Sequence, residues 1–198
     1  MGGTTGTVTI ENSQVLAAHG GSKAAAIGAS YWSSATISIS GSTLKNIVGG
    51  NASAAIGGSR FASDATYTLD INIVDSQINA TGGVFGSGIG SGYDTNCKKR
   101  PAENVKINIS GNSKIVAKGG DNGAGIGTGY HSNSLKGSID ASVDVKGVQA
   151  GFLEKRKAGY TINQAIGYGV LDPTREGNGL DRTFTVDDMV IAAPEVQQ

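Results

Sequence analysis

Aromatic side chains recur at a nearly constant distance behind a repeated Ile-Gly pair, and they are the residues best suited to ligand chemistry. Four aromatics follow such a pair by four or five residues, and two neighbours complete the group: Tyr31, Trp32, Arg60, Phe61, Tyr93 and Tyr130. Aromatic faces pack against pyranose rings, and arginine binds hydroxyls or carboxylates. We therefore predict that this group binds a polysaccharide or a cell-surface glycan. A second interpretation stays open, in which the rings fold back over nearby glycines and pack as an ordinary ladder.

Carboxylates, which a polysaccharide-cleaving enzyme would need, are scattered along the chain. Glycosidases hold two carboxyl groups at a defined separation, and lyases generally combine carboxylates with Ca²⁺ and a basic residue. Asp75, Asp121 and Asp144 instead stand at unrelated positions of the repeat. Aligning equivalent positions brings no two of these side chains together. We therefore predict no catalytic residues, and we interpret the outward polar positions, including Asp144, as a solvated stripe.

Metal and cofactor sites lack a recognisable ligand set in the sequence. His19 and His131 stand at non-equivalent positions and Cys97 is the single cysteine, so no zinc cage and no intrachain disulfide are predicted. The acid- and glycine-containing stretches 121–129 and 172–181 leave Ca²⁺ open, although neither matches an EF-hand or an RTX repeat. Glycine-rich phrases such as GGDNGAGIG resemble phosphate loops, but no helical pattern follows them. We assign no metal-ligating residues and predict no cofactor, with Ca²⁺ left open.

The charge balance of the chain disfavours two classes of partner. The chain carries 16 acidic and 16 basic residues, so its formal net charge is zero. A nucleic-acid-binding surface would need a basic field, and a membrane span would need a far longer apolar run than any present. We therefore expect neither a nucleic acid partner nor membrane insertion.

A repeated unit must position the candidate side chains. Each unit opens with an alternating apolar–polar–apolar triplet, and we assign five of these: Val8-Thr9-Ile10, Ile37-Ser38-Ile39, Ile71-Asn72-Ile73, Ile107-Asn108-Ile109 and Val143-Asp144-Val145. From the last triplet residue to the isoleucine of the Ile-Gly pair, the first four units span 17, 17, 16 and 17 residues. The length varies after that pair. A constant body with a variable loop on one side is typical of the coils of a solenoid.

The constant part of each unit has the sequence features of β-strands. Period-2 alternation, β-branched residues and glycine-rich breaks predict three short strands per unit, stacked about 4.8 Å apart on those of the next unit. The fold class is therefore all-β, a right-handed single-stranded parallel β-helix of about five coils, with the hand given by the usual chirality of parallel crossovers. The anchor isoleucines should stack as an apolar ladder inside it: Ile27, Ile56, Ile89, Ile126 and Ile166. The glycines beside them should supply corner conformations with positive φ.

We place the β-helix over residues 6–170, with a modified last coil around 146–163. A terminal strand or cap and a polar tail are expected over 171–198. The unit pattern I-x-I-S-G-x-x-I-x-A-x-GG…GAGIG-x-G resembles the glycine-rich β-helical repeats of bacterial secreted and cell-surface proteins, mainly over residues 6–130. Some proteins with such repeats form a carbohydrate-binding β-helix family directed at plant polysaccharides. The resemblance implies an extracellular or cell-surface location.

These observations favour a non-catalytic module that binds glycans or adheres through its variable-loop edge. Flanking domains of a longer chain, or a second subunit, are possible further partners. Two other interpretations stay open. One is a polysaccharide-active β-helix glycosidase or lyase, or a subunit of one, and the other is a structural spacer of a surface protein.

Overall fold

The computed structural model describes residues 5–31, 33–60, 67–94, 103–130, 135–140, 142–146, 166–167, 169, 184–186 and 189–190. Over these ranges the chain consists of strands and turns wound into a right-handed parallel β-helix, which confirms the predicted fold class. Coils one to five begin at residues 5, 34, 67, 103 and 135, where each enters the same sheet. Each of these coils contributes strands to three sheets, in which strands of successive coils pair in parallel.

The three sheets differ in strand length but share the same coil order. The first sheet contains β1 (Thr5–Glu11), β5 (Ser34–Ser40), β8 (Tyr67–Val74), β11 (Glu103–Ser110), β14 (Leu135–Ile139), β17 (Phe184–Val186) and β18 (Met189–Val190). The second contains β2 (Gln14–Val15), β3 (Ala18–His19), β6 (Thr43–Val48), β9 (Gln77–Thr81), β12 (Lys114–Lys118) and β15 (Ser142–Lys146). The third contains β4 (Ile27–Gly28), β7 (Ile56–Gly57), β10 (Ile89–Gly90), β13 (Ile126–Gly127) and β16 (Ile166–Gly167). β17 pairs in parallel with β14, and β18 pairs antiparallel with β17.

The core is a column of apolar side chains that point inward from all three sheets. In the third sheet the anchor isoleucines pair in register from coil to coil, which confirms the predicted ladder. Ile56, Ile89 and Ile126 have no exposed surface. Burial of a side chain of this size stabilises the fold by about 1.5–3 kcal/mol, so the ladder is a principal source of coil-to-coil stability. In β5, inward residues such as Ile37 and Ile39 are buried while the polar residues between them are half-exposed.

In coils one to four the Ile-Gly pair lies at the tip of a tight loop. There, the N–H two residues before the isoleucine donates to the C=O two residues after it, as from Ala54 to Gly58 at 2.8 Å and from Ala124 to Thr128 at 2.9 Å. The glycine of the pair has a φ between 125° and 137° in all five coils. This conformation favours glycine, so the predicted positive φ at this corner is confirmed.

A ladder of buried serines forms the corner between the first and second sheets. Ser42, Ser76 and Ser113 are at most 2% exposed. Each Oγ donates to a nearby carbonyl of its own coil and accepts the N–H of the equivalent serine in the preceding coil, at 3.1 or 3.2 Å. The residue before the serine, or two before it in coil four, adopts positive φ: Asn12, Gly41, Asp75 and Gly111. The hydroxyls thereby satisfy backbone donors at a corner where the sheet ladder is interrupted.

The assignment of the fifth triplet was wrong. Val143, Asp144 and Val145 lie in β15, which pairs with β12 of the second sheet, so Asp144 is opposite Val116 and not Asn108. The first strand of coil five is β14, in which Ser138 pairs with Asn108. Gly137 stands there opposite Ile107, with a φ of 115°, and this glycine removes the apolar alternation that marks the strand in the other coils.

The distance from the triplet to the anchor isoleucine is nearly constant, but the extra residue that makes it 17 lies at one of two different places. In coils one and two the extra residue lies in the second sheet, because Val15 and Ala18 pair with Leu44 and Ile47 across two intervening positions. Coil three has one intervening residue there, so the register shifts at this point. In coil four the extra residue lies in the corner turn instead, where 111–112 replace the single Asp75. Units of equal length therefore have different shapes.

Candidate functional site

The Ile-Gly loop brings together residues that are far apart along a coil. Because the loop closes through the hydrogen bond that spans the Ile-Gly pair, the residues four before and four after the isoleucine lie at its two sides. We call these eight positions the loop edge: Lys23, Ala52, Phe85 and Asn122 before the isoleucine, and Tyr31, Arg60, Tyr93 and Tyr130 after it. The segments of variable length follow this edge in the sequence.

Backbone hydrogen bonds fix the two sides of the loop edge relative to each other. The N–H of Tyr93 donates to the C=O of Ala52 at 3.0 Å, and the N–H of Tyr130 donates to the C=O of Phe85 at 2.9 Å. Each tyrosine is therefore tied to the opposite side of the preceding coil. The rings are consequently carried on ordered backbone even though they stand beside loops of variable length.

Three aromatic rings form a cluster at the loop edge of coils three and four. The ring centres of Phe85 and Tyr93 are 5.3 Å apart, those of Tyr93 and Tyr130 are 5.3 Å apart, and those of Phe85 and Tyr130 are 5.6 Å apart. The interplanar angles are 30° to 34°: Phe85 and Tyr130 are stacked, and Tyr93 is tilted against both. All three side chains are half-buried. We call this group the aromatic triad.

Two cations extend the aromatic triad toward coils one and two. The Cζ of Arg60 lies 5.5 Å from the centre of the Tyr93 ring. The Nζ of Lys23 lies 5.1 Å from the centre of the Tyr31 ring. Cation–π pairs of this kind contribute about 0.5–1 kcal/mol at exposed sites. The loop edge thus combines aromatic surface at one end with positive charge at the other.

Arg60 stands out among the polar groups of this edge. Its Nε is buried without a hydrogen-bond partner. In the described part of the chain, the other buried side-chain polar atoms without a partner are the Oγ atoms of Ser53 and Ser59, which belong to the same coil. Most buried polar groups in proteins are hydrogen-bonded, so a local group of unsatisfied atoms calls for an explanation.

The sequence prediction included some of the residues of the loop edge but not all of them. Tyr31, Arg60, Tyr93 and Tyr130 lie on it, whereas Trp32 and Phe61 lie outside the described residues. Phe85 was missed, because phenylalanine occupies its repeat position in coil three alone. The alternative, in which the rings fold back over nearby glycines and pack as a ladder, also stays open. The role of the predicted set in ligand binding stays a prediction.

The outward polar residues of the first sheet form a short hydrogen-bonded stripe. The Nδ2 of Asn108 donates to the Oδ1 of Asn72 at 2.9 Å, and the Nδ2 of Asn72 donates to the Oδ1 of Asp70 at 3.0 Å. Lys106 lies 4.0 Å from the other oxygen of Asp70. At the corner turn, the Oδ1 of Asp75 accepts the N–H of Asn112 at 2.8 Å. These two carboxylates therefore have structural partners on the surface of the β-helix.

Two further searches concern the described ranges alone. In them, no three histidine, cysteine, aspartate or glutamate side chains lie together as a group that could hold a metal ion. Nor does the described chain contain a helix with the length and apolar character to cross a bilayer.

The comparison with known families agrees with the coil structure. Residues 71–93 and 107–130 each match the family model described as a beta helix repeat. Both matched segments begin at an inward isoleucine of the first sheet and end at a tyrosine of the loop edge, so each covers the constant body of one coil. No curated protein and no solved structure matches the chain. The comparisons thus identify repeats of the parallel β-helix type in coils three and four.

Proposed function

We propose that this protein is a non-catalytic, extracellular or cell-surface module that binds glycans through its loop edge. The single observation that carries the proposal is the aromatic triad with the Arg60 guanidinium 5.5 Å from the centre of the Tyr93 ring. Half-buried aromatic rings beside a guanidinium offer both the apolar surface and the hydrogen-bond donors that sugar rings require. Both are mounted on backbone that the coil-to-coil hydrogen bonds hold in place.

The repeat spacing supports an elongated ligand. Equivalent positions in adjacent coils are about 4.8 Å apart, so the loop edge presents its side chains at regular steps along the solenoid axis. A polymer of sugar rings can contact several coils at once, and each contact adds to the total affinity. We therefore propose a polysaccharide, or a glycan chain on a cell surface, as the ligand.

A structural spacer is the second candidate, and one observation favours it. The Tyr93 ring has Arg60 at 5.5 Å and Tyr130 at 5.3 Å, so part of its surface is already covered by protein. Rings that pack on each other stabilise the stacking of coils without any ligand. The two candidates differ in whether the triad contacts anything outside the chain.

Retention on immobilised polysaccharides separates the candidates. The full chain should be retained on at least one polymer, and Tyr93→Ala should lower that affinity by about tenfold or more. Leu16→Ala is the matched control, because Leu16 is 64% exposed and lies away from the loop edge. It should leave the affinity unchanged. No retention on any polymer would favour the spacer, and release of reducing ends from a retained polymer would show a polysaccharide-cleaving enzyme instead.

A further inference from the structure

We propose that the loop edge selects acidic glycans and that Arg60 binds the carboxylate or sulfate group of the ligand. This inference rests on the proposed function, because it names the class of glycan bound at the same edge. The first observation is that one repeat position carries a different residue in one coil. The position four residues after the anchor isoleucine carries tyrosine in coils one, three and four, and arginine in coil two.

The Arg60 side chain is held in place by the protein itself. Its guanidinium lies over the ring of Tyr93, with Cζ 5.5 Å from the ring centre. A guanidinium presents its N–H donors as a planar fork, from which a carboxylate or a sulfate can accept two hydrogen bonds. Because the contact with the ring restrains the side chain in advance, less conformational entropy is lost when the ligand binds.

The donors of Arg60 are not taken up by the described part of the protein. Nε is buried without a partner, and no described carboxylate forms an ion pair with this side chain. Partial burial of an unpaired guanidinium charge costs free energy, and an anion bound at the Nη nitrogens would offset part of that cost while Nε stays unpaired. Since the side chain as a whole is only half-buried, the terminal Nη nitrogens are the part that a ligand reaches.

The charges of the loop edge also favour an anion. Its eight positions hold two cations, Lys23 and Arg60, and no carboxylate. The neighbouring carboxylate Asp94 is 2% exposed and Asp121 is half-buried, as Arg60 is, whereas Lys23 is exposed. An acidic sugar would therefore meet attraction at coils one and two and aromatic surface at coils three and four.

Three polymers test the proposal with the full chain: polygalacturonate, which carries carboxylates, dextran sulfate, which carries sulfates, and uncharged dextran. We expect at least about tenfold tighter binding to one of the acidic polymers than to dextran. Tighter binding to polygalacturonate would identify a carboxylate as the group that Arg60 binds, and tighter binding to dextran sulfate would identify a sulfate. Arg60→Gln should weaken that binding by about ten- to a hundredfold. Arg60→Lys should recover only part of it, because lysine lacks the planar fork.

Lys45→Gln is the matched control, since it removes one positive charge from an exposed lysine of the second sheet. Equal losses for Arg60→Gln and Lys45→Gln would overturn the proposal in favour of general charge attraction. Dextran bound as tightly as both acidic polymers would also overturn it, while leaving the proposed function intact. Binding to none of the three, together with binding to a different neutral glycan, would again refute acidic selectivity alone. Thermal unfolding of each variant verifies that the fold is retained.

Discussion

The backbone carbonyl oxygen of Gly127 lies where a β-carbon on Gly90 would stand. The two glycines pair across neighbouring strands of the third sheet, and Gly90 has a φ of 131°. A side chain at this position would be opposed both by the backbone conformation and by the next coil. The repeated glycine-rich phrase is therefore explained by the close stacking of coils and needs no bound phosphate.

Substitution of Gly90 by alanine should strongly destabilise the protein. We expect a loss of at least about 3 kcal/mol in the free energy of unfolding, from backbone strain and from overlap with the next coil. Gly21→Ala is the control, because a β-carbon there meets no atom within 4 Å. It should change stability by less than about 0.5 kcal/mol. Urea unfolding followed by circular dichroism measures both, and equal effects would contradict the stacking explanation.

Loss of one hydroxyl from the serine ladder should be costly despite the small change in volume. Ser76→Ala removes the acceptor of the Ser42 N–H and leaves that buried donor unsatisfied. We expect a loss of about 1–3 kcal/mol in the free energy of unfolding. Ser138→Ala removes an exposed hydroxyl from the first sheet and should have little effect. Chemical denaturation of the two variants tests this, and a stable Ser76→Ala protein would count against the ladder.

The bulge in β6 should make valine substitutions act differently in two adjacent coils. Asn46 has a φ of 49°, whereas Asn79, exposed in the unbulged strand β9, does not appear among the positive-φ residues. A β-branched residue at Asn46 must adopt the left-handed conformation, so Asn46→Val should cost about 1–2 kcal/mol. Asn79→Val should be neutral or slightly stabilising, since valine suits a strand. Similar melting temperatures for the two variants would contradict this prediction and would show that the backbone at residue 46 can leave the positive-φ conformation at little cost.

The aromatic triad should contribute to stability as well as to any binding. Phe85→Ala removes a half-buried ring that contacts both tyrosines, and we expect a loss of about 2 kcal/mol in the free energy of unfolding. Val84→Ala, at a neighbouring residue that is 41% exposed, should cost less than about 1 kcal/mol. If Phe85→Ala lowers stability and leaves glycan affinity unchanged, the triad is a packing feature and the spacer is favoured.

Much of the fold could be predicted because each coil repeats the same physical requirement. An isoleucine recurs at the anchor position, as at Ile56 and Ile89, because the core needs a side chain of that shape in every coil. A glycine recurs at the next position, as at Gly57 and Gly90, because the coils approach each other at this position with no room for a β-carbon. A requirement that applies to every coil appears in the sequence as a period. The presence of three strands per coil, the stacking of the anchor isoleucines and the corner at the Ile-Gly pair followed from that period.

Features confined to one coil were not predictable in this way. Phe85 has no counterpart among Lys23, Ala52 and Asn122, so its place in the triad emerged only from the structure. Gly137 interrupts the alternation in coil five, and the search for a triplet therefore selected a strand of the wrong sheet. The partners of a side chain across coils depend on where each insertion falls, and unit length alone does not contain that information.

In the described first sheet, coil one pairs with coil two alone, whereas coil three pairs with a coil on each side, so local opening should be easier in coil one. Amide protons of coil one should accordingly exchange with heavy water sooner than those of coil three. Arg60 and Tyr93 belong to interior turns of the solenoid. Fraying of the outermost windings would therefore leave the contact between guanidinium and ring undisturbed.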